Sequence, residues 1–69
     1  MSQVGRQKIA KNVKILREKS GLKREELSLA LNFDNSYISK LEKGNVNITI
    51  DKIELIAQFF NVNLKDLFV

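Results

Sequence analysis

The chain has 69 residues, enough for one small core, and carries 12 lysines and arginines against 8 acids for a net charge of +4. Cysteine and histidine are both absent, which removes disulfide staples, zinc fingers and knuckles, thiol nucleophiles and the side chain most used for proton transfer near neutrality. No apolar run approaches the length that crosses a bilayer and no apolar signal segment opens the chain, so a cytoplasmic location is expected.

The first predicted helix runs from Arg6 to Lys19, because Ile9, Val13 and Leu16 recur at helical spacing and Ser20-Gly21 offers a stop. Its charge is one-sided: Arg6, Lys8, Lys11, Lys14 and Arg17 all precede the first acid, Glu18. Such a segment suits phosphate or anionic lipid, and equally an ordinary solvated face. Lipid is the weaker reading, since the apolar stripe is needed for the core. The second helix is predicted over Lys23 to Leu31, with Leu27, Ala30 and Leu31 inward and Glu25 and Glu26 in the first turn. Asn32 then ends it, because asparagine tolerates the left-handed conformation.

The third helix is predicted to begin after Asp34, as the carboxylate that caps its free amides, and to stop at Gly44 with positive φ. The fourth follows Thr49 as N-cap and turns Ile53, Ile56, Ala57 and Phe60 inward; the fifth, Leu64 to Phe68, follows Asn63. Val46 to Ile50 alternates apolar and polar residues but has no partner strand, so it reads as an extended link. With no proline and only three glycines, the expected class is all-α, five helices joined by short turns.

The stretch FDNSYISKLEKGN, residues 33 to 45, carries little that belongs in a core. Ile38 and Leu41 form one narrow apolar edge, with Phe33 placed to staple the entry. Asn35, Ser36, Ser39, Lys40 and Lys43 fall on the outer arc, with Tyr37 at its margin. A helix pinned by one edge and rich in amide, hydroxyl and ammonium groups suits the DNA major groove, about 12 Å wide, where base edges differ in donor and acceptor pattern. Taken alone, it also describes an ordinary solvated helix. The preceding helix and the turn at Asn32 tilt the reading toward a helix-turn-helix, packed through Leu27, Leu31, Phe33, Ile38 and Leu41.

The pieces LREKSGL, EELS, YISKLEKG and FFNVNLKDLF, in this order and spacing, resemble the phage-repressor and Cro-like helix-turn-helix family over nearly the whole chain. Within it, NSYISKLEKGNVNITIDKIELI is similar to the controller proteins of restriction-modification systems, stand-alone dimers that regulate their own promoter and that of the endonuclease. The resemblance implies a single lambda-repressor-like domain over residues 1–69. It also implies that Asn35, Ser36, Tyr37, Ser39 and Lys40 read bases. Arg17, Lys23, Arg24, Lys43, Asn45 and Asn47 would meet phosphates, and Arg17 and Glu42 would first of all form an ion pair bracing the first helix against the third. The chain departs from the family pattern at Lys23, often a serine or threonine N-cap. Asn32 replaces a frequent glycine, and Ser28 a common alanine, where its hydroxyl is expected to bond back to a carbonyl one turn earlier.

One such domain contacts too few base pairs to find a site in a genome, so a homodimer on a pseudo-palindromic operator is expected. Leu64, Leu67, Phe68 and Val69 are divided between the monomer core and the dimer seam, and a charge at Leu67 or Phe68 is expected to give monomers. The leading reading is a sequence-specific double-stranded DNA-binding transcriptional regulator that occludes promoters or touches RNA polymerase. The alternative is an antitoxin-like module that mainly holds another protein. An enzyme is not expected: Glu18, Glu25, Glu26, Asp34, Glu42, Asp51, Glu54 and Asp66 serve as caps, helix charges or surface pairs, and neither cofactor nor metal is implied.

Overall fold

The computed structural model describes residues 3–69. It contains four α-helices, α1 (Gln3–Lys19), α2 (Arg24–Ala30), α3 (Tyr37–Glu42) and α4 (Ile50–Phe59), followed by a 3-10 turn at Leu64–Phe68. No strand occurs among the described residues, and the link expected over Val46 to Ile50 ends at Thr49, because Ile50 already belongs to α4. The expectation of five helices is corrected in one respect. The last element is too short to gain from α-helical bonding and takes the tighter 3-10 form. Helix α1 also begins earlier than Arg6, because Gly5 is carried inside it.

All four α-helices end alike. Leu22 N–H donates to the Arg17 carbonyl at 3.2 Å, Phe33 to Ser28 at 2.8 Å, Asn45 to Lys40 at 3.0 Å and Val62 to Ala57 at 3.0 Å. At each corner the residue before that donor is left-handed: Gly21 at φ 72°, Asn32 at 61°, Gly44 at 74° and Asn61 at 56°. This is the Schellman closure, which satisfies carbonyls that a helix end leaves free. A Cβ at Gly44 would meet nothing within 4 Å, so the backbone angle alone demands glycine there.

The helix starts differ from one another. Thr49 Oγ1 accepts from Lys52 N–H at 3.2 Å, as expected. Lys23 has no side-chain acceptor, yet the Glu26 carboxylate reaches back to its N–H at 2.7 Å, so α2 is closed from within. Asp34 does not cap α3. The helix begins after Ser36, and Asp34 contributes only its backbone carbonyl, which accepts from Tyr37 N–H at 3.0 Å. The side-chain cap comes from α2, where the fully buried Ser28 hydroxyl accepts from Ile38 N–H at 3.0 Å. Ser28 thus serves the neighbouring helix, where a back-bond to a carbonyl of its own helix was expected.

The core gathers Ile9 and Val13 from α1, Leu27 from α2, Ile38 and Leu41 from α3, Ile53 and Ile56 from α4, and Leu67 from the terminal turn. Burying each such side chain contributes about 1.5–3 kcal/mol. Ala30, expected inward, is exposed, and Ser28 takes the inner position. Helix α3 packs against both α1 and α2, while α1 also covers the terminal turn. There Asn12 Nδ2 donates to the Leu67 carbonyl at 2.9 Å and to that of Val69 at 3.1 Å. Leu67 is fully buried within the monomer, so its assignment to a dimer seam is corrected: it is a core residue.

Candidate nucleic-acid interface

Three residues of α3 anchor it, Tyr37, Ile38 and Leu41, all buried. On the other side Asn35, Ser36, Lys40 and Lys43 are exposed and Ser39 is half-buried. The short helix is therefore a ridge, held from below and chemically varied above. Cap, core and corner all act on its orientation, through Ser28, Leu41 and Gly44 respectively.

An ion pair beneath the ridge fixes it further. Arg17 Nε donates to Glu42 Oε2 at 2.7 Å, Nη2 to Oε1 at 3.2 Å, and Nη1 to the Leu22 carbonyl at 2.8 Å. The side chains of Arg17 and Glu42 are 9 % and 5 % exposed. The hydrogen bond to Glu42 raises the Arg17 pKa above its ordinary value, against the opposing effect of burial. This two-pronged pair ties α1 to the end of α3, the bracing role expected of it.

The helix-turn-helix family pattern matches residues 13–67, spanning α2, the turn and α3 together with what supports them. The chain belongs to the helix-turn-helix family. Among its relatives are two control proteins. C.BamHI from Bacillus amyloliquefaciens is 37% identical over 49 residues, 71% of this chain and 60% of the relative. C.MunI from Mycoplasma sp is 29% identical over 55 residues, 80% of this chain and 74% of the relative. This chain therefore spans less than two thirds of the length of C.BamHI. A hypothetical transcription factor from Neisseria, NHTF, superposes with a TM-score of 0.89 at 29% identity, covering 94% of this chain and 75% of that one.

In this helix-turn-helix, Lys23, Arg24, Asn35 and Ser39 line one cleft at the start of α3, with Arg17 in its wall. Arg17 is thereby a brace with only an edge toward the cleft. Arg24 is half exposed, and its Nε donates to Glu42 Oε1 at 3.2 Å, so one buried carboxylate holds two arginines. Nothing local in the sequence announces that second tie, because the partners lie 18 residues apart. Lys43, Asn45 and Asn47 are exposed around the following corner.

Tyr37 requires a correction. It was placed with the base-reading residues, yet only 7 % of it is exposed. Its ring meets Phe33 edge-on at 4.8 Å, and the Lys52 ammonium from α4 sits 4.3 Å from its centroid. The phenol oxygen is buried without a hydrogen-bond partner, and burial pushes its pKa upward. Tyr37 supports the ridge from behind.

Three large apolar residues are exposed on α4, Ile50 in its first turn and the pair Leu55 and Phe59, and the pair is the part that sequence reasoning missed. Their spacing of four, on the face opposite Ile53, Ile56 and Ala57, was the available signal. Near the chain end Leu64 and Phe68 are half-buried and Val69 is exposed. Among the described residues, no cluster of acids stands ready to hold a metal ion, and no helix is long and apolar enough to cross a membrane.

Proposed function

We propose that this helix-turn-helix domain is a sequence-specific double-stranded DNA-binding transcriptional regulator, a non-enzymatic control protein that acts in the cytoplasm as a homodimer on a pseudo-palindromic operator. The observation that carries the reading is the ridge itself: α3 is fastened by Ser28, Leu41 and the Arg17–Glu42 pair while Asn35, Ser36 and Lys40 stand free. In the major groove, Lys40 suits the O6 and N7 acceptors of guanine and Asn35 the N6 and N7 edge of adenine, with Ser36 and Ser39 able to bond either. Lys23 and Arg24 reach the phosphates beside the start of α3, and Lys43, Asn45 and Asn47 those beside its end. Arg17 acts through Glu42 rather than on phosphate.

The second copy covers the apolar face of Leu55 and Phe59, together with Val69 and the half-buried Leu64 and Phe68. Pairing two ridges one helical turn apart, about 34 Å, doubles the base pairs read. A contact with RNA polymerase is then the route to activation, and occlusion the route to repression. The same exposed apolar face also fits an antitoxin-like module that holds another protein; a chain that stays monomeric would favour it.

The experiment is selection of bound duplexes from a random pool by the purified chain. A palindromic consensus is the expected result, and a pool without enrichment overturns the proposal. Within a recovered operator, Lys40→Ala should cost about 1–3 kcal/mol and relax preference at one position, whereas Arg24→Ala should weaken all sequences alike.

A further inference from the structure

The cleft at the start of α3 has a counterpart at the other end of the helix. There α1 passes the Gly44 corner, and Gln7, Lys11, Lys14 and Lys43 surround a hollow of about 230 Å³, with Glu42 in its wall. The Arg17–Glu42 pair stands between the two hollows, Arg17 bordering the first and Glu42 the second. The Glu42 carboxylate is already occupied by Arg17 and Arg24. It therefore does little to neutralise the three lysines, which are exposed and belong to no ion pair among the described residues.

The nearby carbonyls of Lys40 and Leu41 are also taken, by Asn45 and Gly44 N–H. Three lysines thus line one hollow, with the neutral Gln7 amide beside them and no carboxylate left unpaired. Their mutual repulsion is relieved by an anion that offers several oxygens. Lys8 and Lys19 lie roughly 120–140° round α1 from Lys14, Lys8 one step of about 60° beyond Lys11, and neither borders the hollow.

A six-residue helix such as α3 is about 9 Å long. The major groove is about 12 Å across, walled on each side by a phosphate strand. The first cleft, where Lys23 and Arg24 stand beside Glu18 and Glu25, and the lysine-lined second hollow lie at opposite ends of a helix shorter than that span. Resting on the DNA-binding reading above, we propose that Lys11 and Lys14, with Lys43, form a second phosphate-binding site that grips the strand opposite the one met by Lys23 and Arg24.

Two double variants separate local contact from overall charge: Lys11→Gln with Lys14→Gln, and Lys8→Gln with Lys19→Gln. Affinity for the selected operator is measured across a salt series. The first variant should flatten the dependence of log K on log salt by about 1.8 units, roughly 0.9 for each lost phosphate contact, with base preference unchanged. The second should leave the slope near that of the wild type. Equal slopes in the two variants overturn the site.

Operators with methylphosphonates placed in both half-sites, either at the phosphates beside the start of α3 or at those beside its end, give an independent reading. The wild type should lose affinity with either set neutralised, and the Lys11/Lys14 variant should lose less than the wild type from the set beside the helix end. Undiminished sensitivity to that set in the variant also overturns the proposal. A wild-type chain with no preferred operator defeats the DNA-binding reading first and takes the site with it, whereas equal slopes with preference intact defeat the second site alone.

Discussion

Removing the Glu42 carboxylate is the sharpest probe of how this domain holds α3. In Glu42→Ala, the Arg17 guanidinium keeps the Leu22 carbonyl at 2.8 Å and a loose 4.0 Å approach to the exposed Glu18 carboxylate, and stays in a setting where its side chain is 9 % exposed. An uncompensated buried charge of this kind costs about 3–5 kcal/mol. A chain of 69 residues holds roughly 3–10 kcal/mol in total, so the variant should lose from about a third to all of its stability. Arg24, half exposed, contributes at most about 1 kcal/mol to this sum, because solvent screens its contact. Urea unfolding followed by circular dichroism gives the measurement, read at unchanged m-value. Glu42→Gln, which keeps the shape and one acceptor, should lose about half as much, and Arg17→Met with Glu42→Leu should return close to the wild type. A Glu42→Ala protein within about 1 kcal/mol of wild type would refute the idea that this pair fixes α3.

Ser28→Ala strips the cap from Ile38 N–H and should cost about 1–3 kcal/mol in thermal or urea unfolding; no change would mean that the amide finds another partner. Tyr37 has a raised pKa from burial, so the folded chain keeps the phenolic proton where the unfolded chain has lost it. Its stabilising contribution is complete below a pH of about 10 and falls as pH rises through the folded value, while Tyr37→Phe should lack that component of the decline. Because Tyr37 is the one tyrosine in a chain without tryptophan, ultraviolet absorbance follows it directly, and an unshifted titration would contradict its burial. Phe59→Asp should sediment as a folded monomer, whereas Leu67→Asp should unfold, since Leu67 is wholly inside; a folded Leu67→Asp protein would place that residue at the surface after all.

The helix order and most of the corners were legible because they are decided by neighbours in sequence. Gly21, Asn32 and Gly44 each follow an apolar-periodic run, and each takes the left-handed conformation expected of it. Asn61 performs the same task, and its place between Phe60 and Val62 carried the same signal. What could not be read locally was anything decided between elements. Ser28 caps a helix from another helix, and Glu42 joins two arginines from α1 and α2. Tyr37 lay at the margin of the outer arc by angle alone, and it is drawn inward because Phe33 and Lys52 supply a surface that no helical wheel includes. The division of Leu64, Leu67, Phe68 and Val69 between core and surface likewise depends on α1, whose Asn12 fastens the terminal turn.

The four left-handed corners also bear on how quickly the native state is reached. Each reverses the chain within a few residues and needs no distant contact, so α2 and α3 can meet as a short-range hairpin. The packing of α3 on α1 and of the terminal turn on α1 joins more remote segments, and the entropy of such closures grows slowly with the length they span. Helical domains whose contacts are chiefly near in sequence acquire their structure in microseconds to milliseconds. A domain of this design would reach its native packing almost as soon as its residues were free to meet.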